Sequence, residues 1–359
     1  MADIYLGHGS DCGELTDKLL YEADIKSRVP QNAKVVIKPN LVTPTKPEHG
    51  ATTHVGIVES IVRYLKENCR VASITIAEGA WIGADTAEAF TVCGYDELAK
   101  KYGVILLDTK KDREVQVTAY GVELSVCNVF LESDYFINVP VLKGHSQTKM
   151  TCCLKNLKGC IPDSEKSRYH QTGLHTPIAA LTTILKPDLH VIDSICGDLT
   201  FEEGGNPVTT NRMLLGFDPV LLDSYCAGLI DVDYLEVKHL CIAEEWGVGK
   251  FVADTSEIVE IGAEFKTDVK IVRSELVSYL EEFIDDDSAC SACYTGLISA
   301  LREMVGDMPT DGEIKVGQGY RGEIIDGIGV GDCTAGCTRH LPGCPPSSED
   351  ILKFLRESC

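Results

Sequence analysis

Positive charge is scarce in this sequence. The chain has 33 lysines and arginines against 55 aspartates and glutamates, which gives a net charge of -22 at pH 7. A surplus of negative charge on this scale repels a polyanion unless the basic residues cluster tightly. Nucleic acid is therefore not expected as a partner.

A leader segment and a membrane-spanning run are not expected either. The amino end has no basic stretch followed by an apolar one, and no uninterrupted apolar run approaches the roughly 20 residues that cross a bilayer. We expect a soluble, cytoplasmic protein without a membrane partner. The segment 317–322 fits G-x-G-x-x-G, but no helical pattern follows it, so a nicotinamide or flavin cofactor is not expected.

Short apolar strands alternate with amphipathic helical segments along most of the chain. A strand over 35–37 is followed by apolar residues at helical spacing over 55–65 and by a second strand over 74–76. Further strands are predicted over 102–108, 135–139 and 189–193. This order favours an α/β fold, with a mostly parallel sheet that has helices on both faces.

Two other local patterns complete the predicted organisation. Alternation over 115–119 and 123–127 predicts a hairpin added to the sheet. The composition changes over 264–270, just before a helical stretch and an acidic run at 285–287. We therefore predict an α/β domain at residues 1–265 and a smaller α/β domain, which binds a cluster, at residues 266–359.

Sixteen cysteines are many for a cytoplasmic chain that does not need disulfides. Five of them have ligand spacing within one segment: Cys290, Cys293, Cys333, Cys337 and Cys344. A C-x-x-C pair lets two thiolates bind one metal centre, and the later cysteines can complete a four-thiolate shell. Glycines between 317 and 331 would let the backbone approach a cluster and direct amides at its sulfurs. One 4Fe-4S cluster is predicted, and a structural zinc site is the alternative because it too can use four cysteines.

The cysteine pattern resembles the proximal-cluster motif of nickel-iron hydrogenase small subunits and the related quinone-oxidoreductase subunit. That motif is C-x-x-C, then G-x-C, then G-C-P-P, and its four ligands match Cys290, Cys293, Cys333 and Cys344. The resemblance is confined to residues 290–359, and it implies electron transfer through the cluster. After its third cysteine the motif has a glycine at a slightly different spacing, whereas this chain has Cys337. Cys337 could therefore replace Cys333 as the third ligand.

A second possible metal group is Cys152 and Cys153 with Cys160. Adjacent cysteines rarely ligate one ion comfortably. We therefore expect these three to be core or loop thiols.

Five motifs of the larger domain resemble domain of unknown function (DUF) family 362. They are Lys38-Pro39-Asn40-Leu41-Val42, Ala51-Thr52-Thr53-His54, the segment 137–145, the segment 154–159 and Asp218-Pro219-Val220. The family usually has Lys-Thr-His where this chain has Lys143-Gly144-His145, and a proline where this chain has Val55. The resemblance implies the fold and an association with iron-sulfur binding, but no reaction.

Polar residues follow several of the predicted strands, where ligands bind in open α/β sheets. Lysines beside loop signals in so acidic a chain suit an anionic small molecule. We predict that substrate binds to Lys38, Asn40, Asn156 and Lys158. Catalysis is predicted for His54, Lys143, His145 and Lys155, of which the histidines would transfer protons.

Structural roles compete with these assignments. Candidate carboxylate partners are Glu78, Asp193 and Asp223. For any one residue a solvated lysine or a packed histidine is the simpler interpretation, and Asp218 before Pro219 is simply expected to cap a helix.

Together these features predict a redox enzyme that acts on an anionic small molecule through one 4Fe-4S cluster. Two alternatives are open. One is an electron carrier or assembly factor whose acidic surface docks a redox partner protein. The other is a non-redox isomerase or hydrolase with a structural cluster.

Overall fold

The computed structural model describes residues 2–199, 206–267, 275–308 and 312–358. The chain forms two compact units, a larger one of residues 1–144 and 148–271 and a smaller one of residues 145–147 and 272–359. The predicted boundary at residue 265 lies next to residues 268–274, which are outside the described residues, as is part of the composition change at 264–270.

Strands and helices alternate through most of the larger unit. Its strands are β1 (Ile4–His8), β2 (Ala33–Lys38), β3 (Val71–Glu78), β4 (Ile105–Asp108), β5 (Glu114–Ala119), β6 (Val122–Cys127), β7 (Tyr135–Asn138), β8 (Lys143–His145, which ends in the smaller unit), β9 (Lys149–Thr151), β10 (Leu189–Asp198), β11 (Pro207–Gly216) and β12 (Ile258–Ile261). Its helices are α1 (Cys12–Glu22), α2 (Val55–Asn68), α3 (Thr86–Val92), α4 (Tyr95–Tyr102), α5 (Asn128–Leu131), α6 (Cys153–Asn156), α7 (Asp163–Thr172), α8 (His175–Ile184), α9 (Pro219–Leu229) and α10 (Lys238–Glu245).

The large sheet has eight strands among the described residues, in the order β12-β1-β11-β10-β7-β2-β3-β4. Strand β11 is antiparallel to both of its neighbours, β1 and β10. The other neighbouring strands are parallel. The predicted mostly parallel sheet is confirmed.

Helices cover both faces of this sheet, as predicted. Because side chains alternate along a strand, Val36 of β2 packs into a core that includes buried residues of α6, α8, α9 and α10. Its neighbours Val35 and Ile37 pack into the opposite core, with buried residues of α1, α2, α3 and α4. A strand buried on both faces has a continuous apolar run, and Val35, Val36 and Ile37 form such a run in β2.

Two local predictions have different outcomes. Asp218 caps α9 as expected, since its side chain accepts from the N–H groups of Val220 and Leu221 and Pro219 occupies the first turn. Strands β5 and β6 do form an antiparallel hairpin, but it is a separate two-stranded sheet and not an addition to the large one. Alternation along a strand predicts pairing with a neighbour, but it does not predict which sheet the pair joins.

The smaller unit is also α/β. Its elements are α11 (Glu275–Glu281), β13 (Ile284–Asp286), α12 (Ser291–Arg302), β14 (Ile314–Val316), β15 (Ile325–Val330), β16 (Cys337–Leu341) and α13 (Ser348–Ser358). The four strands form one parallel sheet in chain order. In neither unit do the described residues include a helix long and apolar enough to span a bilayer.

Candidate functional site

A cavity of about 60 Å³ opens where β2 and β3 end, and we call it the Lys38 cavity. Lys38 and Glu78 are the last residues of these two strands, and both line it. The other lysines in its lining are Lys155, Lys158 and Lys166. Four lysines therefore line a space whose described lining has one carboxylate.

Lys38 is fixed by a buried ion pair. Its Nζ donates to Glu78 Oε2 at 2.8 Å, to Asn156 Oδ1 at 3.2 Å and to the Pro39 carbonyl at 2.9 Å. The Glu78 carboxylate also accepts from the backbone N–H groups of Leu41 and Gly79. Lys38 is 1% exposed, so this is the fully hydrogen-bonded geometry that a buried ion pair requires.

Asn156 connects several polar residues behind the cavity. Its Oδ1 also accepts from Asn40 Nδ2 at 3.0 Å, and its Nδ2 donates to Asn138 Oδ1 at 2.8 Å. Lys143 Nζ donates to Asn40 Oδ1 at 3.3 Å and to the Ala51 carbonyl at 2.7 Å. The predicted binding residues Asn40 and Asn156 therefore lie together in the lining, and Lys143 contacts one of them.

The short helix α6 carries Lys155 and Asn156 to the cavity. The Asp223 carboxylate accepts from the backbone N–H groups of Cys153 and Leu154, at 2.8 and 3.1 Å. These are first-turn amides, which have no partner within the helix. Asp223 therefore anchors α6 from α9 and is not among the described residues that line the Lys38 cavity.

Gly159 lets the backbone close over the ion pair. A Cβ at this position would lie 2.6 Å from Lys38 Nζ and would overlap the Glu78 carboxylate. The glycine of the Lys158-Gly159 motif is therefore explained by close approach.

Sequence reasoning missed Lys166. This lysine of α7 donates to the carbonyls of Gly79 and Ala80 and to Asp163 Oδ1, each at 3.1 Å. Burial lowers the pKa of Lys166, although Asp163 acts against that effect. The helix is strongly polar, so its sequence gives no sign that one of its lysines turns inward.

The two predicted histidines are not brought to the Lys38 cavity within the described lining. His54 Nδ1 and its backbone nitrogen both lie 2.8 Å from Asp193 Oδ2. His145 is buried at the end of β8 and groups with the smaller unit. The pairing of His54 with Asp193 accounts for the buried carboxylate at the start of the bulge in β10.

The stability of the larger unit should depend on pH through His54. Burial opposes protonation, but Asp193 outweighs it and raises the pKa of His54 above 6.5. The stabilisation is therefore complete below pH 6.5 and is lost as pH rises through the folded-state pKa. The free energy of unfolding, measured with urea across this pH range, should fall in the wild type and stay level in His54→Asn. An equal dependence on pH in the two proteins would contradict the prediction.

The five spaced cysteines lie in the smaller unit. Cys290 precedes α12 and Cys293 lies in its first turn, while Cys333 follows β15. The Cys293 thiol donates a hydrogen bond to Cys290, and this lowers the pKa of Cys290 to about 6 although burial acts to raise it. Amide groups of the first turn add to this effect.

Four of the five thiols influence one another electrostatically. The hydrogen bond to Cys290 and burial raise the pKa of Cys293. Negative charge on Cys290, Cys333 and Cys344 raises it further. Burial and the charges of Cys290 and Cys333 raise the pKa of Cys344. Burial also raises the pKa of Cys337, but the charged neighbour there is Lys315, which opposes the rise.

Another group of potential metal ligands lies in the larger unit. Cys152, Cys153 and Asp223 have ligand atoms within 4.8 Å of one another, and all three residues are buried. The two sulfurs are 4.0 Å apart. Both Asp223 oxygens already accept from α6 amides, which agrees with the interpretation of these cysteines as core thiols.

The fold and this geometry define a class of protein: an α/β protein with a polar, lysine-rich cavity at the carboxyl ends of parallel strands. The profile of the family described as "Domain of unknown function (DUF362)" matches residues 35–228, more than half of the chain. The chain belongs to this family. Every residue named above as lining the Lys38 cavity lies inside the match, and the five spaced cysteines lie outside it.

Similar proteins have also been found. A thylakoid-associated protein of Synechocystis sp. is 22% identical over 232 residues, covering 62% of this chain and 70% of that protein. The lactate racemase apoprotein of Thermoanaerobacterium thermosaccharolyticum has a TM-score of 0.42 at 16% identity, over 63% of this chain and 56% of that one. A Thermotoga maritima protein has a TM-score of 0.41 at 11% identity, over 63% and 60% of the two chains.

Proposed function

We propose that this chain is a cytoplasmic redox enzyme that acts on an anionic small molecule, with electrons passing through one 4Fe-4S cluster. The Lys38 cavity is the observation that carries the substrate part of the proposal. Its lining has four lysines and one carboxylate, in a chain whose net charge is -22.

Electrostatics favours an anion in this cavity. Glu78 pairs with Lys38 at 2.8 Å, and Asp163, which is not among the lining residues, pairs with Lys166 at 3.1 Å, so lysines outnumber carboxylates in the described lining by four to one. Like charges held close together in a partly buried site repel one another by several kcal/mol at an effective dielectric constant of about 20. An anion that accepts hydrogen bonds from ammonium groups removes that repulsion.

The size of the cavity limits what enters it. A volume of about 60 Å³ has room for a few water molecules or for one carboxylate or phosphate group. The anionic group of the substrate would therefore bind inside, while the rest of the molecule stays outside.

Different lysines have different roles in this proposal. Lys155 and Lys158 bind the anion, and Lys38 is held in place for it by Glu78 and Asn156. Lys143 acts through its hydrogen bond to Asn40, so it is a positioning residue. His54 and Asp193 fix the chain where α2 begins, and proton transfer by His54 or His145 gains no support from the described lining.

The cluster would bind to Cys290, Cys293, Cys333 and Cys344. Their mutual electrostatic influence supports this set, and Cys337 is outside it. Gly331, at φ +90, supports it too, because a Cβ there would lie 3.3 Å from Cys293 Sγ. When bound, such a cluster supplies electrons one at a time.

Sulfur spacing differs between a zinc site and a cubane cluster. A tetrahedral zinc ion, with zinc–sulfur bonds of about 2.3 Å, brings its sulfurs within about 4 Å of one another. No three of the four cysteines, all of which are described, have sulfurs within 4.8 Å of one another. A cubane spreads its ligands further apart because each thiolate binds a different iron.

Phosphate binding tests the substrate part. Lys158→Met should weaken binding of inorganic phosphate roughly tenfold or more, since a hydrogen bond to a charged group contributes about 1.5–3 kcal/mol. Titration calorimetry of the full chain measures the dissociation constant for phosphate. Lys66→Met is the matched control, because it removes the same charge from an exposed position on α2. Equal losses in the two variants would indicate a general charge effect and would contradict the proposal.

The net charge also favours a second candidate, an electron carrier that docks a basic partner protein. In that case phosphate should bind no better to the wild type than to Lys158→Met, whereas the cluster should still form.

A further inference from the structure

A second cavity of the larger unit has a different character from the first. Its volume is about 460 Å³, which is in the range of small-molecule sites. The residues that matter for its chemistry are Tyr120, Lys186, His190, Phe217 and Trp246. We call it the His190 cavity.

Aromatic side chains form much of its wall. The rings of Tyr120 and Trp246 stack with centroids 4.2 Å apart and planes inclined by 5°. Tyr120 Oη also donates to the Trp246 carbonyl at 2.9 Å, so the pair is fixed in place. Phe217 adds a third ring. Such walls favour a flat, apolar ligand that can stack on them.

The charge of the lining excludes one type of ligand. Among its described residues there is no aspartate or glutamate, and the single ionised side chain is the exposed Lys186. A cationic ligand would have no counter-charge there. A neutral molecule fits the lining better.

One lining residue, His190, has a buried polar atom that lacks a partner among the described residues. His190 is 0% exposed, and among the described residues its Nε2 has no hydrogen-bond partner. The nearby hydroxyls of Thr182 and Thr183 donate to the carbonyls of Ala179 and Ala180. Buried polar atoms without a partner are rare in folded proteins, and each needs an explanation.

A hydrogen-bond chain determines that this nitrogen is a donor. An ammonium group can only donate, so Asn156 Oδ1 accepts from Lys38 and Asn156 Nδ2 must donate to Asn138. Asn138 then accepts through Oδ1 and directs Nδ2 toward His190 Nδ1 at 3.2 Å. His190 Nδ1 is therefore an acceptor, and the ring proton is on Nε2.

The ring is neutral as well. Burial lowers the pKa of His190 to about 3, so a charged imidazolium is not present near neutral pH. Nε2–H is consequently a neutral donor, and a carbonyl oxygen is a better match for it than a carboxylate, which would have to be desolvated.

We propose that the His190 cavity binds a flat aromatic molecule whose carbonyl oxygen accepts a hydrogen bond from His190 Nε2. The aromatic body packs on Trp246 and Phe217. This site is separate from the anion site, since the two cavities share no described lining residue and the amides of Asn156 and Asn138 lie between Lys38 and His190.

Coumarin is a suitable probe, because it is flat and has one exocyclic carbonyl oxygen. Naphthalene is the matched control, with a similar ring system and no acceptor. In titration calorimetry of the wild-type chain, coumarin should bind about five- to tenfold more tightly than naphthalene, the value of one net hydrogen bond. Equal affinity for the two, or no binding of either, would overturn the proposal and would leave water as the occupant of the cavity.

Two tryptophans allow the probe to be located. Trp246 lines the His190 cavity and Trp81 lines the Lys38 cavity, and the chain has no others. Coumarin should change the emission of a Trp81→Phe protein, in which Trp246 is the reporter. A response seen only in Trp246→Phe would place the probe in the wrong cavity.

Substitution of His190 separates its two nitrogens. In His190→Asn the amide oxygen can replace Nδ1 as the acceptor for Asn138, while the Nε2 donor is lost. Coumarin affinity should then fall to that of naphthalene, whereas His190→Gln, whose amide nitrogen can occupy the Nε2 position, should retain part of the preference. A preference for coumarin that survives in folded His190→Asn would contradict the proposal. If that variant does not fold, the wild-type comparison of the two probes still decides.

Discussion

Replacing Cys290 with serine is expected to remove the iron and sulfide that anaerobic isolation of the wild type should yield, at about four of each per chain. Cys290 has the lowered pKa of the set, close to 6, because Cys293 and first-turn amides stabilise its thiolate. A serine hydroxyl ionises far less readily, so one corner of the cluster would lose its ligand. Iron and sulfide analysis, together with the visible absorption spectrum, measures the effect.

Cys337→Ser is the matched control in the same segment. Cys337 begins β16, and the charged group next to it is Lys315 rather than another cysteine. This variant should keep its colour and its iron, whereas Cys333→Ser should lose both. If the results for these two variants are reversed, Cys337 is the third ligand. Stoichiometric zinc in a colourless wild-type protein would contradict the cluster altogether.

The fold could be predicted from the sequence because the main strands are buried on both faces. Val35, Val36 and Ile37 form a continuous apolar run, and the next strand follows a helix with clear periodicity. Such a pattern admits few alternatives. The antiparallel position of β11 was not predicted, since pairing partners that are distant in sequence leave no local trace.

The candidate site was predictable where its residues adjoin strand ends or lie beside loop signals, as Asn156 and Lys158 do. Lys38 ends β2 and Asn40 follows it, and the ends of parallel strands meet at one edge of the sheet. Lys166 and His190 were missed for physical reasons. The first lies within a polar helix, and the second lies in an apolar strand, where one histidine among buried residues gives no sign of an unpartnered nitrogen.

Lys38→Met should destabilise the larger unit by about 3–5 kcal/mol, because removing one partner of a buried ion pair leaves the other charge uncompensated. Glu78 is almost fully buried and receives its ionic hydrogen bond from Lys38 at 2.8 Å. Asn156 loses a donor as well. Urea unfolding followed by tryptophan emission reports on this unit, since Trp81 and Trp246 both lie in it.

Lys34→Met is the control for Lys38→Met, since Lys34 is an exposed lysine of the same strand. It should change the free energy of unfolding by no more than about 0.5 kcal/mol. Lys38→Met combined with Glu78→Leu should recover only part of the lost stability, because the amides of Leu41 and Gly79 lose the carboxylate that accepts from them. A single Lys38→Met variant as stable as the Lys34 control would mean that the pair is not desolvated, and the argument for a closed, lysine-rich anion site would fail with it.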